Sequence, residues 1–157
     1  MAAATPAIVA LRAAGIDFTE HRYDHDPAAS SFGLEAAAAL GLPADQVFKT
    51  LLCLVDGAAR VAIVPVNTQL DLKAAAAAVG GKRAEMMTVE AAERLTGYIA
   101  GGISPFGQKK LLPTLIDETC ELFDTIYVSG GRRGFDIGVA PADLIRLLTA
   151  TVADLAR

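Results

Sequence analysis

The 157-residue sequence predicts one α+β domain whose sheet is largely antiparallel or mixed. Three observations predict it. Capped, Ala-rich helical segments are interspersed with apolar strand-like runs, and their order shows no strict strand-helix-strand alternation. Asp56-Gly57 also lies between two of those runs, where a hairpin turn belongs. A chain of this length sits near the mode for one domain and can bury a core of its own.

Thr5-Pro6 is a cap followed by proline at the first helical position, and Ile8 and Leu11 form an apolar stripe that Gly15 ends. Asp17 to Tyr23 alternates as a half-buried strand does, and Asp24-His25-Asp26-Pro27 breaks it. Ser30 and Ser31 cap a second helix that runs through Leu40 and stops at Gly41, with a short turn at Pro43-Ala44-Asp45. Val47 to Val55 and Arg60 to Val66 are the hairpin strands. Asp71 caps an Ala-rich helix to Val79, followed by Gly80-Gly81, and Thr88 caps another that reaches about Leu95. Leu115-Ile116, Thr125 to Ser129 and Phe135 to Val139 read as short strands, and Pro141 opens a final helix to about Thr149.

Hydrophobic residues make up 53% of the chain and charged residues 20%, which marks it as globular rather than disordered. A net charge of −4 argues against holding bulk nucleic acid by charge alone. Such a substrate would need a local patch, for which Lys82-Arg83, Lys109-Lys110 and Arg132-Arg133 are the candidates. Cys53, which has apolar flanks, and Cys120 are far apart, as expected of buried thiols in a reducing compartment. Met1 to Ala14 carries Arg12 within a helical pattern, so a helix is expected there rather than a signal peptide. No apolar run approaches the ~20 residues of a spanning helix, and a soluble, cytoplasmic protein is the expectation.

Common catalytic signatures are missing: no Gly-x-Ser-x-Gly elbow, Walker lysine or His-Glu-x-x-His helix occurs. His21 and His25 are four apart in a segment read as strand then loop, so they do not project together as a helical pair would, and no metal site is expected. Asp24-His25-Asp26 reads as a solvated loop, or as one that tunes a histidine. Lys49 is a lone cation in an otherwise apolar strand. Two explanations stay open: it snorkels to water from a strand edge, or it holds a carbonyl or phosphate oxygen. Gly101 to Lys110 is equally two-sided. Its glycines permit close backbone approach, Ser104 adds a hydroxyl and Pro105 fixes the turn, so it is either an ordinary surface loop or a cradle for an oxygen-rich group. Ser129 to Gly134 repeats the pattern.

Taken together, Thr5-Pro6-Ala7, Tyr23 to Pro27, Phe32-Gly33, Phe48 to Leu52, Gln69 to Lys73, Thr96-Gly97-Tyr98, Gly101 to Lys110 and Thr125 to Gly134 resemble the bacterial YbaK and EbsC group of aminoacyl-tRNA deacylases, particularly the Cys-tRNA(Pro) deacylases. The resemblance runs almost end to end and implies one deacylase domain over residues 1–157. It implies a mixed, partly barrel-like β-sheet surrounded by helices. It also implies hydrolysis, in trans and without a cofactor, of the ester joining a wrongly attached cysteine to proline tRNA, in collaboration with prolyl-tRNA synthetase. Lys49 falls on the family's principal functional position, with Gly101 beside it as the second catalytic residue. Tyr23, Phe32, Thr50, Gly102, Ile103, Ser104, Ser129 and Asp136 fall on pocket positions, and Lys109, Lys110, Arg132 and Arg133 are placed to meet the tRNA. In that family the substrate's own thiolate is thought to attack the ester and leave as a thiolactone, which would account for the missing triad.

The sequence departs from the family in its Ala-rich N-terminal extension and in Leu34, which stands where an acidic residue often follows the Phe-Gly pair. The extension would act on solubility, Leu34 on the charge at the pocket entrance and so on amino-acid preference. Other expectations remain beside the first. These are a deacylase for alanine or another small amino acid, a noncatalytic module that binds aminoacyl ends or a synthetase, and a hydrolase that uses Cys53 or Cys120.

Overall fold

Side-chain caps set where the helices begin. A computed structural model describes residues 4–157; Met1, Ala2 and Ala3, the start of the Ala-rich extension and of the expected Met1-to-Ala14 helix, lie outside the described residues. Helix α1 (Pro6–Ala13) starts at Thr5, whose hydroxyl accepts from Ile8 N–H and donates to Gly130 O. Ser31 caps α2 (Phe32–Leu40), Asp71 caps α3 (Leu72–Ala78) and Thr88 caps α4 (Val89–Thr96), each accepting from the N–H three residues on. Gly41 and Gly97 end α2 and α4 in the left-handed conformation. Helix α5 (Pro141–Leu148) relies on proline in its first turn instead of a side-chain cap.

The strands are β1 (Phe18–Arg22), β2 (Phe48–Val55), β3 (Ala58–Pro65), β4 (Ala84–Met86), β5 (Thr114–Asp117), β6 (Ile126–Arg132), β7 (Phe135–Val139) and β8 (Thr151–Ala153). The β2–β3 hairpin turns at Asp56 and Gly57, with φ of 50° and 83°, a two-residue turn of the kind that matches strand twist. One sheet has the order β4-β2-β3-β5-β8 and is mixed, because β3–β5 and β5–β8 pair in parallel. The other, β1-β7-β6, is antiparallel. The two meet at a parallel bridge between Val47 and Tyr127, reinforced by Gln46 Nε2 donating to Thr125 O at 2.8 Å.

The α+β class and mixed pairing agree with the expectation, with the sheet resolved into two parts joined at that bridge. Strands β4 and β8 were not expected. Each is three residues long, too short for a period-2 pattern, and each exists because a longer neighbour offers its edge. Strand β6 runs to Arg132, beyond Ser129, through a bulge between those two residues. Leu11, Phe48, Leu52, Phe106, Ile116, Ile126, Ile137 and Leu144 belong to the main core. No helix among the described residues is long and apolar enough to cross a membrane.

Candidate active site

The N-terminus of α2, the start of β2, the Gly101 loop and the β6–β7 pair enclose a cleft of about 360 Å³. Phe48 and Leu52 belong to the core, the strand pleat turns Lys49 to the opposite face, and at this end of β2 Phe48, Lys49 and Thr50 all line the cleft. Its ammonium forms no ion pair among the described residues, and burial holds it below the ordinary lysine range. Next to it in the strand, Thr50 Oγ1 is buried without a hydrogen-bond partner among the described residues. Asp136 enters from β7, paired across the sheet with Ser129 and His21. Burial pushes its carboxyl up to about 7. Tyr23 is pushed up to about 12, by burial first and the charge of Asp136 second.

Tyr23, Phe32, Lys49, Thr50, Gly101, Ile103, Ser129 and Asp136 all line this one cleft. The other predicted positions lie elsewhere. Gly102 sits behind the wall, where a Cβ would stand 2.6 Å from Arg132 Cα. Ser104 is fully buried; its hydroxyl accepts from Phe106 N–H and its carbonyl from Gln108 Nε2. Both shape the loop that carries Gly101. Lys109 and Lys110 are exposed and donate their backbone N–H groups to Thr96 O and Leu95 O, at the end of α4. Arg132 stacks on Phe135, as does Arg22. Arg133 reaches the rim: its Nε donates to Ala100 O at 2.8 Å and its guanidinium lies 4.9 Å from the Phe32 ring centre.

Residues 25–147 match the family model of the aminoacyl-tRNA editing domain, which spans most of the chain and all of the cleft except Tyr23. The chain belongs to the aminoacyl-tRNA editing family. Editing an aminoacyl-tRNA is hydrolysis of its ester, so the editing domain is of the deacylase class. It is 39% identical over 120 residues, 76% of this chain and 73% of the relative, to Enterococcus faecalis EbsC, provisionally named a Cys-tRNA(Pro)/Cys-tRNA(Cys) deacylase. It is 29% identical over 122 residues, 74% of this chain and 73% of the relative, to the Escherichia coli K12 multifunctional Ser/Thr-tRNA deacylase ProXp-y. Among solved structures, one described provisionally as a trans-editing enzyme for prolyl tRNA synthetase superposes with a TM-score of 0.80 at 30% identity, over 95% of this chain and 93% of that one.

Behind Phe32, outside the lining of the editing domain's cleft, stand two residues that sequence reasoning did not place there. His25 Nδ1 and Glu35 Oε1 are 2.7 Å apart, and Glu35 Oε2 accepts from Asp26 N–H. That N–H first, and His25 second, hold the Glu35 carboxyl below its ordinary range. His25 is therefore half-buried and paired, whereas Asp24 and Asp26 on either side of it are exposed, as expected of a solvated loop. The nearest signal was the acidic residue expected after Phe-Gly: Leu34 is 45% exposed, and the acid stands one position later at Glu35. Cys53 and Cys120 are fully buried outside the cleft, with burial pushing both thiols up, Cys120 to about 11.

Proposed function

We propose that this editing domain acts in trans on proline tRNA and removes cysteine attached by mistake. The observation that carries the reading is the Lys49 ammonium, without an ion pair among the described residues, in a cleft that Gly101 also lines and that holds no cysteine or histidine among those residues. A site without an enzyme thiol or histidine suits a substrate that brings its own nucleophile. The cysteine side chain loses its proton, its sulfur bonds to the ester carbonyl carbon, and the bond from that carbon to the ribose oxygen breaks. The ribose oxygen regains a proton, and water later opens the thiolactone. Lys49 and the Gly101 amide stabilise the oxyanion, and Asp136, with its carboxyl near 7, takes the thiol proton. Orientation supplies the rest by making the attack intramolecular.

The Enterococcus relative's name supports cysteine, whereas the Escherichia coli relative's name makes serine and threonine the rival substrates. The solved structure's description supports prolyl-tRNA synthetase as partner, and the net charge of −4 fits a protein that relies on that partner to hold tRNA. Lys109, Lys110, Arg132 and Arg133 are the proposed contacts to the nucleic acid.

The test offers proline tRNA charged with cysteine, alanine, serine or threonine to the wild type and to Lys49→Ala, before and after alkylation of the protein. Release of cysteine with a trapped thiolactone, insensitive to alkylation and lost in Lys49→Ala, is expected. Preference for another ester would reassign the specificity, loss on alkylation would revive an enzyme cysteine, and no release from any ester would leave a binding module.

A further inference from the structure

Phe32 is the first residue of α2 and is 37% exposed, yet polar groups from three other segments fix its ring. His25 lies 5.7 Å from it, centre to centre, tilted by 36°. Glu35, one turn along the same helix, holds that imidazole at 2.7 Å and ties the loop through Asp26 N–H. Facing a carboxylate, His25 Nδ1 carries the proton and donates. Arg133 lies 4.9 Å from the ring centre, pinned by its bond to Ala100 O. The backbone at Gly101 closes the remaining side, where a Cβ would stand 2.7 Å from Phe32 Cδ1.

A ring at the start of a helix and open to water has no core to hold it, and packing stability does not call for a histidine-carboxylate pair at that place. We propose that His25, oriented by Glu35, is a positioning residue that fixes Phe32 as the wall limiting which amino-acid side chain the cleft accepts, with Arg133 as the opposite brace. Removing the brace lets the ring swing toward solvent and enlarges the pocket beside Lys49. Cysteine then loses its advantage over the β-branched threonine. The proposal rests on the deacylase reading.

The experiment measures kcat/KM for proline tRNA charged with cysteine and with threonine, in the wild type, His25→Ala, His25→Phe and Glu35→Gln, each checked for folding by thermal melting. His25→Ala and Glu35→Gln are expected to shift the ratio toward threonine by about tenfold, the scale of one methylene in an apolar pocket. His25→Phe, which restores an aromatic face, should recover most of the ratio. Equal losses for both esters with the ratio unchanged would show a merely structural role and overturn the proposal. Should the wild type release neither ester, the deacylase reading fails by itself. The positioning is then read from the fluorine NMR signal of 4-fluorophenylalanine at position 32, which must shift in Glu35→Gln; an unmoved signal overturns it.

Discussion

Gly101 and Phe32 touch so closely that no side chain fits between them: a Cβ on Gly101 would lie 2.7 Å from Cδ1 of the ring and 2.8 Å from Cγ. The glycine also has a φ of 84°, which L side chains rarely adopt. Gly101→Ala must therefore strain the loop by about 1 kcal/mol and displace the ring. Deacylation is expected to fall about a hundredfold, as for a reacting geometry misplaced by an ångström, while melting drops only a few degrees. Steady-state rates and a thermal melt of the same preparation check both.

Lys49→Met should lower kcat by about a hundredfold or more, the usual effect of removing one oxyanion donor. Melting should stay level or rise at pH 7, because the folded state no longer holds a half-buried ammonium without an ion pair. The sign follows from linkage. Its folded pKa lies below 10.5, so the penalty is full at neutral pH and fades as pH rises through the folded value. The melting difference between Met and wild type should accordingly narrow toward pH 10.

Asp136 titrates at about 7 in the folded protein, against an ordinary 3.8. The folded state holds this proton more tightly, so the group lowers stability as pH rises from about 4 through 7. Asp136→Asn should be the more stable protein at pH 8, by a few kcal/mol at most, and should match the wild type near pH 4. If Asp136 takes the substrate's proton, the same variant also loses the inflection near 7 in the pH dependence of kcat/KM. Urea unfolding across that range and a pH-rate profile separate the two effects.

Asp117 is almost fully buried and joins the end of the chain to β5. Burial acts to raise its carboxyl, but hydrogen bonds from Thr119, Leu155 and Ala156 outweigh it and hold the group below its ordinary range. Asp117→Asn would aim amide hydrogens at backbone donors and is expected to cost about 3 kcal/mol at pH 7. A carboxyl lowered in the folded state contributes its stability above about pH 4 and loses it as pH falls through the folded value. Urea midpoints for the two proteins should converge in acid while activity at neutral pH, measured below the unfolding transition, stays near wild type.

By itself the sequence determined the helix starts at Thr5, Ser31, Asp71 and Thr88, because each cap bond spans only three residues. It determined the Asp56-Gly57 hairpin for the same local reason. Lys49 was legible because a charge in an apolar strand demands an explanation, and the ordered motifs named its family. What the local pattern could not encode was who meets whom. Ser104 looked like a ligand hydroxyl and turned out to be bonded within its own loop, whereas His25 looked solvated and is bonded to Glu35. Strands β4 and β8 exist only as additions to edges already in place. Phe32, His25, Glu35, Ala100, Gly101 and Arg133 converge from segments far apart in the chain. Only the tertiary structure decided that convergence, since contacts between distant segments follow from how sheets and helices pack rather than from any periodicity along the sequence.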